Sequence, residues 1–306
     1  MFPNRYRALL TLLVVLPLTG CLFRSRKVQP PLQAGPVKTA TQQELISYIN
    51  GQAARIQTVQ ATVDIDTSVG GAKKGKITEY QQIRGYVLLR KPAMLRMIGL
   101  APIVRTTAFD MVSDGSNFEV SIPPKNRFVV GRNDVETHSL TQPLENLRPQ
   151  YIYDALLIHE ITPNEIAVLE TETRTIAVAK GRKLERPEYV LDVIRRAGEG
   201  WVLSRKIVFN RSDLLPHRQI LYDDEGEIAT DAVYQDYRDN NGINFPWQTE
   251  ISRPKEEYDI TLTVVKLDLN VPLGDDKFVL AQPPGAEVIH LDKASTGSAS
   301  GPGNRR

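Results

Sequence analysis

The clearest pattern in the chain is a strict alternation of apolar and polar residues between Val59 and Val69. Period two over this length is typical of a long β-strand with one buried and one solvated face. The glycine-rich segment 70–75 that follows predicts a hairpin loop. Segment 77–89 predicts the return strand, which ends at Lys91-Pro92.

A helix is predicted just before this strand. Thr41 and Glu44 have the spacing of a capping box, in which the two side chains satisfy free amides of the first turn. The helix is expected to end within 55–58, because an apolar face then gives way to the strand alternation. That face is made by Leu45, Ile49, Ala53 and Ile56.

Many further segments have strand composition and are separated by turn sequences at hairpin spacing. Pro149 favours a short helix that carries Ile152, Ala155 and Leu156. A chain with a few helices and many such strands is typical of the α+β class. We therefore predict a single domain with about ten or more antiparallel strands. The further predicted strands are 94–98, 106–112, 118–122, 127–130, 189–195, 201–210, 217–223, 228–237, 243–252 and 258–269.

The amino-terminal residues predict export. Arg5 and Arg7 precede an apolar run over 8–18, which as a helix would rise only ~16 Å and is too short to span a bilayer. This is typical of a signal peptide, and we assign it to residues 1–20. The run ends at Leu18-Thr19-Gly20-Cys21, which resembles the lipobox of bacterial lipoproteins.

The lipobox resemblance implies that Cys21 is acylated and anchors the mature chain in a membrane. The alternative is an ordinary signal peptide with a chance cysteine. Leu22 replaces the aspartate that signals inner-membrane retention in such proteins, so we expect a periplasm-facing location on the outer membrane. Residues 21–40 read as a flexible tether, 41–292 as the folded domain and 293–306 as a disordered tail.

Composition and charge exclude several classes of protein. The 306 residues are 41% apolar and 24% charged, as in folded soluble domains. The formal net charge is only +2, and a protein that neutralises many phosphates needs a basic surplus, so nucleic acid is not an expected partner. A single cysteine excludes both an intramolecular disulfide and a structural zinc site built on cysteines.

The sequence contains segments that resemble catalytic motifs, but each lacks a feature that the motif requires. Gly70, Gly75 and Lys76 have phosphate-loop spacing, but Ile77 stands where that loop needs Ser or Thr, and the segment joins two strands. The four histidines are far apart in sequence, and no Gly-x-Ser-x-Gly elbow occurs. We therefore predict a protein that is not an enzyme and uses no cofactor or metal.

Several short motifs, in their order along the chain, resemble the LolA/LolB lipoprotein-sorting superfamily, which also includes RseB-like sensors. The helix that leads into strand 56–63 is the first, and an R-x-P-x-x-x-R element over 90–96 is the second. The resemblance covers roughly 41–292. The other motifs that resemble the superfamily are Asp114-Gly115, the turn 123–126, segment 220–223 with Gly226, and the closing segments 270–273, 278–280 and 284–289.

This resemblance implies a strongly curved, incomplete antiparallel β-barrel with two or three helices lidding its concave face. In the family, that face holds the acyl chains of client lipoproteins. Acylated lipoproteins or other lipids are therefore the implied ligands, and a soluble periplasmic carrier is a further implied partner. The leading interpretation is an outer-membrane-anchored lipoprotein that binds acyl chains during envelope sorting. The alternatives are an RseB-like protein-binding sensor or scaffold and, third, a glycolipid hydrolase.

A cavity for a variable acyl chain needs adaptable apolar side chains, and methionine suits that purpose because it is flexible and polarisable. Plain core packing is the competing interpretation for each candidate. The receptor of this family also carries an exposed apolar residue on a loop after its third strand. Here the corresponding loop is 99–104, and the candidates for membrane insertion are Leu100 and Ile103. The candidate lining residues are Met94, Met97, Phe109, Met111, Phe118, Trp201, Ile207, Phe209 and Trp247.

Overall fold

The computed structural model describes residues 32–33, 35–73, 75–135, 148–178 and 182–291. The predicted signal peptide, Cys21 and the tail 293–306 lie outside these ranges, as does His138. Within them, helix α1 (Gln42–Arg55) begins after Thr41 with the expected capping box. The amide of Thr41 donates to Glu44 Oε2 at 2.7 Å, and the amide of Glu44 donates to Thr41 Oγ1 at 3.3 Å. The start and end predicted for this helix are confirmed.

The strands belong to one sheet. The first half of the chain contributes β1 (Leu32–Gln33), β2 (Thr58–Gly71), β3 (Lys76–Glu79), β4 (Ile83–Arg90), β5 (Met94–Leu100), β6 (Thr107–Ser113), β7 (Asn117–Ile122) and β8 (Arg127–Arg132). The second half of the chain contributes β9 (Ile166–Val178), β10 (Arg182–Ala197), β11 (Gly200–Asn210), β12 (Leu215–Tyr222), β13 (Ile228–Asn240), β14 (Ile243–Arg253), β15 (Tyr258–Leu269) and β16 (Glu287–His290).

The sheet is open and curved rather than closed. Its main path runs β9-β10-β11-β12-β13-β14-β15-β2-β4-β5-β6-β7-β8-β16, and β9 and β16 do not pair with each other in the described part of the chain. Neighbours are antiparallel except β1 with β10 and β16 with β8, which are parallel. The antiparallel open sheet of the α+β prediction is therefore confirmed, with short parallel strands added.

Two strand predictions need correction. The return strand over 77–89 is split into β3 and β4, which both pair with β2. Strand β9 and the first part of β10 were not predicted at all. Both belong to the long hairpin at one edge of the sheet, where side chains are mostly exposed and the sequence has little apolar contrast. The alternation in β2 is borne out, since Val59, Ala61, Val63, Ile65 and Val69 are all buried.

The described residues contain two α-helices, the lower number of the expected two or three. The second, α2 (Pro149–Leu156), lies against strands β5, β6, β13 and β14. Its residues Ile152, Tyr153 and Ala155 are fully buried in the main core. Because those strands come from both halves of the sheet, α2 lies across the concave face as the predicted lid.

Helix α1 covers a second apolar cluster. Its buried face packs Leu45 and Ile49 against strands β10 and β11. The cluster is separate from the core around α2, so the two helices fill different parts of the concave face. Its buried strand residues are Tyr189, Leu191, Val193, Ile207 and Phe209.

Two tyrosine hydroxyls hold α2 in place. Tyr153 donates to the carbonyl of Pro92 at 2.7 Å, and Tyr234 donates to the carbonyl of Ala155 at 2.7 Å. The second carbonyl lies in the last turn of the helix, where no intrahelical donor remains. Burial raises the pKa of both tyrosines well above its usual range, which keeps the hydroxyls protonated as donors.

We predict that Tyr234→Phe lowers the free energy of unfolding by ~1–2 kcal/mol, because it leaves the buried carbonyl of Ala155 without a donor. The half-exposed Tyr86 provides the control, since Tyr86→Phe removes a hydroxyl that reaches solvent. Urea denaturation of the two variants measures the difference. Equal unfolding midpoints would contradict the proposed attachment of α2.

Candidate functional site

An apolar cavity of about 340 Å³ opens at one end of the concave face. This volume is within the ~300–1,000 Å³ of small-molecule sites. Strands β2, β4, β5, β6, β7 and β15 form its walls, and Ile152 of α2 reaches it from above. None of the lining side chains is charged. They are Ile65, Thr67, Tyr80, Gln81, Ile83, Met97, Pro102, Ala108, Phe109, Met111, Val120, Ile122, Ile152 and Ile260.

Two glycines shape the wall of this cavity. Gly85 and Gly99 are directly paired across β4 and β5, and Gly99 is paired with Phe109 of β6. A Cβ on Gly99 would overlap the ring of Phe109, and one on Gly85 would lie 2.5 Å from Cδ1 of Ile65. The glycines thus let two large apolar side chains lie close to the backbone of the sheet, which is a frequent use of glycine in strands.

Three of the nine predicted lining residues lie on the cavity wall. They are Met97, Phe109 and Met111, which come from adjacent strands. Met97 and Met111 are paired in register across β5 and β6, so their side chains lie on the same face of the sheet. The alternation of apolar and polar residues in β5 and β6, together with their composition, was therefore sufficient to predict this part of the site.

The other six predicted lining residues do not line this cavity. Phe118 is buried in the main core, where the guanidinium of Arg148 lies over its ring at 4.9 Å. Ile207 and Phe209 are buried beneath α1. Two tryptophans and one methionine complete the set: Trp201 is 53% exposed at the β10–β11 turn, Arg238 stacks on Trp247 at 3.7 Å, and Met94 is half-buried at the start of β5.

Some lining residues were missed by the sequence analysis. Ile65, Val120 and Ile260 follow the apolar register of their strands, and this register could have placed them on the concave face. Tyr80 and Gln81 had no such signal, because they lie in the break between β3 and β4. The side chain of Tyr80 is 47% exposed and lines the cavity, which places it at the mouth.

The loop between β5 and β6 lies beside this mouth, since Pro102 lines the cavity. The next two side chains, Ile103 and Val104, are 97% and 69% exposed. Leu100, the other candidate for membrane insertion, is half-buried at the end of β5. The described part of the loop therefore presents two branched apolar side chains to solvent directly beside an apolar cavity.

The backbone of this loop is strained at Ile103. Its φ is +66°, a conformation that branched side chains rarely adopt. The amide of Val104 donates to the carbonyl of Pro102 at 2.7 Å, which closes a γ-turn of the rare positive-φ kind around Ile103. A second bond, from the amide of Arg105 to the carbonyl of Ala101 at 3.0 Å, holds the same loop. Strained residues of this sort are concentrated at functional positions.

Charged side chains near the cavity are paired on the opposite face of the sheet. Arg96 of β5 makes two hydrogen bonds to Asp110 of β6, at 3.0 and 2.7 Å, which raise the pKa of Arg96. Arg84 binds Asp64 at 2.6 Å. These pairs alternate along the strands with the lining residues, as period two requires. The cavity wall is left uncharged.

Histidine and carboxylate side chains form small pairs rather than a larger site. His159 lies 2.9 Å from Asp154, and His217 lies 3.1 Å from Glu188. Hydrogen bonding and charge from His217 and Arg186 outweigh burial and lower the pKa of Glu188. In the described ranges, no three His, Cys, Asp or Glu side chains are gathered as metal ligands. None of these pairs lines the apolar cavity.

Neither helix in the described part of the chain has the length and apolar content that crossing a bilayer requires.

Solved structures of several proteins are similar to this chain. A LolA superfamily protein from Nitrosomonas europaea is 15% identical, with 79% of this chain and 99% of that chain covered and a TM-score of 0.46. A DUF1329 family protein from Desulfovibrio piger is 16% identical, with 77% of this chain and 95% of that chain covered and a TM-score of 0.48. A domain from Vibrio parahaemolyticus, described as that of an outer membrane lipoprotein-sorting protein, is 12% identical. The match covers 77% of this chain and 96% of that chain, with a TM-score of 0.46.

No family model and no curated protein matches the chain. Likeness at such identities concerns the fold and assigns no activity to this chain.

We predict that Ile103→Asn raises the free energy of unfolding by ~1 kcal/mol. Asparagine adopts positive φ more readily than isoleucine, for which this conformation costs about 1–2 kcal/mol. Urea denaturation measures the gain, and Val104→Asn at the neighbouring exposed position is the control. A gain of the same size in both variants would show that strain at Ile103 is not its source.

Proposed function

We propose that this chain is a lipid-anchored protein of the outer membrane that binds the acyl chains of lipoproteins or lipids in the cavity under α2. In this proposal, it acts in envelope lipoprotein sorting without catalysing a reaction. The observation that carries the proposal is the uncharged cavity of about 340 Å³, with an exposed apolar loop at its mouth.

The energetics of an acyl chain suit such a cavity. Moving a chain from water into an apolar site is favourable by about 0.8 kcal/mol per methylene, so escape through water is slow. Passage from the cavity directly into a bilayer exchanges one apolar environment for another and costs little. Ile103 and Val104 would provide the contact with the bilayer, because transfer of their exposed apolar side chains from water into an apolar phase is favourable.

The anchor in this proposal is Cys21, acylated after removal of residues 1–20. The lipobox 18–21 and the absence of aspartate after Cys21 support an outer-membrane location facing the periplasm. A tether over 21–40 would let the cavity reach the bilayer in which the anchor is held. One acyl chain binds a membrane only marginally, so stable attachment requires two or more.

We predict that Phe109→Asp abolishes binding of a fluorescent fatty-acid probe to the purified chain. A carboxylate in the wall would have to be desolvated or protonated when the probe enters, and either cost opposes binding. Fluorescence titration measures the affinity.

Trp201→Asp is the matched control, because it introduces the same charge at a half-exposed aromatic position away from the cavity. The control is expected to bind the probe like the unsubstituted chain. If Phe109→Asp folds and binds the probe normally, the cavity is not the acyl site. A protein partner retained without lipid would then favour the sensor or scaffold function.

We predict that Ile103→Asn also slows transfer of bound probe to phospholipid vesicles by several-fold, while affinity for the probe in solution is unchanged. The reason is that Ile103 is expected to contact the bilayer and does not itself line the cavity. Stopped-flow fluorescence of probe leaving the protein measures the rate. An unchanged transfer rate would exclude this residue from membrane contact.

Cys21→Ser is predicted to leave the protein uncleaved or soluble, because the thiol that receives the diacylglycerol is lost. Fractionation of cell envelopes followed by immunoblotting measures its distribution. Recovery of the variant in the outer membrane at the normal level would refute the anchor.

A further inference from the structure

Strand β9 is a long free edge of the sheet. It pairs with β10 along its whole length, and no strand in the described part of the chain pairs with its other side. The strand contains neither proline nor lysine, the residues that commonly protect sheet edges from pairing. Two of its apolar side chains, Ile166 and Val168, are 45% and 43% exposed. An edge of this kind is a template for a further strand.

The backbone groups on this edge belong to alternate residues. Gln42 of α1 donates to the carbonyl of Ala167 at 3.0 Å. The carbonyl of Pro187, the β10 partner of Thr173, accepts from the amide of Arg211 at 3.2 Å, so the Thr173–Pro187 pair is not hydrogen-bonded between β9 and β10. In an antiparallel strand, hydrogen-bonding direction alternates from residue to residue. The other residues that offer free amides and carbonyls to a new strand are therefore Leu169, Thr171, Thr173, Thr175 and Ala177. Glu172 is bonded toward β10 and would form a non-hydrogen-bonded pair in a new ladder.

The sequence of β9 is complementary to itself when a second copy runs antiparallel about Glu172. On the convex face, this register places Val168 opposite Ile176 and Glu170 opposite Arg174, each twice. On the other face, Thr171 lies opposite Thr173. Opposite charges and branched apolar pairs at such positions each contribute about 0.2–1 kcal/mol. The one unfavourable pair is Glu172 with its own copy on the two-fold axis.

Neighbouring registers lose part of this complementarity. A two-fold axis at Thr173 keeps Glu172 opposite Arg174 but places Glu170 opposite Ile176. An axis at Arg174 places Glu172 opposite Ile176, and an axis at Glu170 places Arg174 opposite Ile166. Each pairs a charge with an apolar side chain. Neither Glu172 nor Arg174 forms an ion pair within the described ranges, so these two charges are available to a partner. Glu170 interacts electrostatically with Lys206 of β11 in the same chain.

We propose that β9 pairs with β9 of a second copy of this chain, antiparallel and centred on Glu172, to form a two-fold dimer with one continuous sheet. The interface is isologous, so each favourable pair occurs twice. The acyl cavity lies on strands at the other end of the sheet, and the pairing leaves it accessible.

A single introduced cysteine tests this register in the full chain, purified in detergent and treated with a mild oxidant. In Glu172→Cys, the residue lies opposite itself, and non-hydrogen-bonded pairs have Cα atoms about 4.5 Å apart, within the range for a disulfide. Glu170→Cys is the matched control, because its partner is Arg174. We expect a disulfide-linked dimer on non-reducing gels for Glu172→Cys, at a yield several-fold above that of the control and of the unsubstituted chain with its Cys21.

Charge reversal tests the same pairing without a cysteine. Arg174→Glu places two like-charged pairs in the interface and is expected to weaken dimerisation several-fold in sedimentation equilibrium. Adding Glu170→Arg to that variant restores both pairs and should restore the dimer. These side chains are exposed, so folding is retained. A monomeric chain, equal cross-linking at 170 and 172, or no rescue by the double variant would overturn the proposal.

Discussion

The packing of α2 against the concave face is the contact on which the remaining structure depends. An open sheet that curves must cover its inner apolar surface, since neither edge meets the other to seal it. Ile152, Tyr153 and Ala155 fill the middle of that surface, and the hydroxyl of Tyr234 satisfies a carbonyl at the end of the helix. Because α2 has only two turns, it fills part of the concave face and leaves the cavity beside it.

Much of the fold could be predicted because local patterns agree with the tertiary structure. The alternation in β2 identified its buried side chains, and the capping box identified the start of α1. Strand β9 was missed because it lies at an edge with both faces largely exposed, so burial imposes no contrast on its sequence. Threonine alternates with charged residues in this strand, and without knowledge of its pairing with β10 that composition indicates only a polar segment.

The candidate site was less accessible to sequence reasoning, for a physical reason. A strand pattern shows which side chains face inward, but it does not show whether a helix fills the space above them. Met97 and Phe209 are both inward-facing apolar residues, yet one lines the cavity and the other lies beneath α1. The distinction depends on where two helices dock, which involves contacts far apart in sequence. The loop position of Ile103 was recognisable, whereas its positive φ was not.

The cavity and the free edge strand lie at different ends of the sheet and share no residues. At one end, Gly85 and Gly99 let Ile65 and Phe109 lie against the backbone, and the strained turn exposes Ile103 near the cavity mouth. At the other end, β9 offers unpaired backbone groups. Strands β10 to β14 lie between these regions in the sheet order. A dimer formed through β9 would thus hold two cavities at opposite ends of one continuous sheet, each with its apolar loop free to contact a membrane.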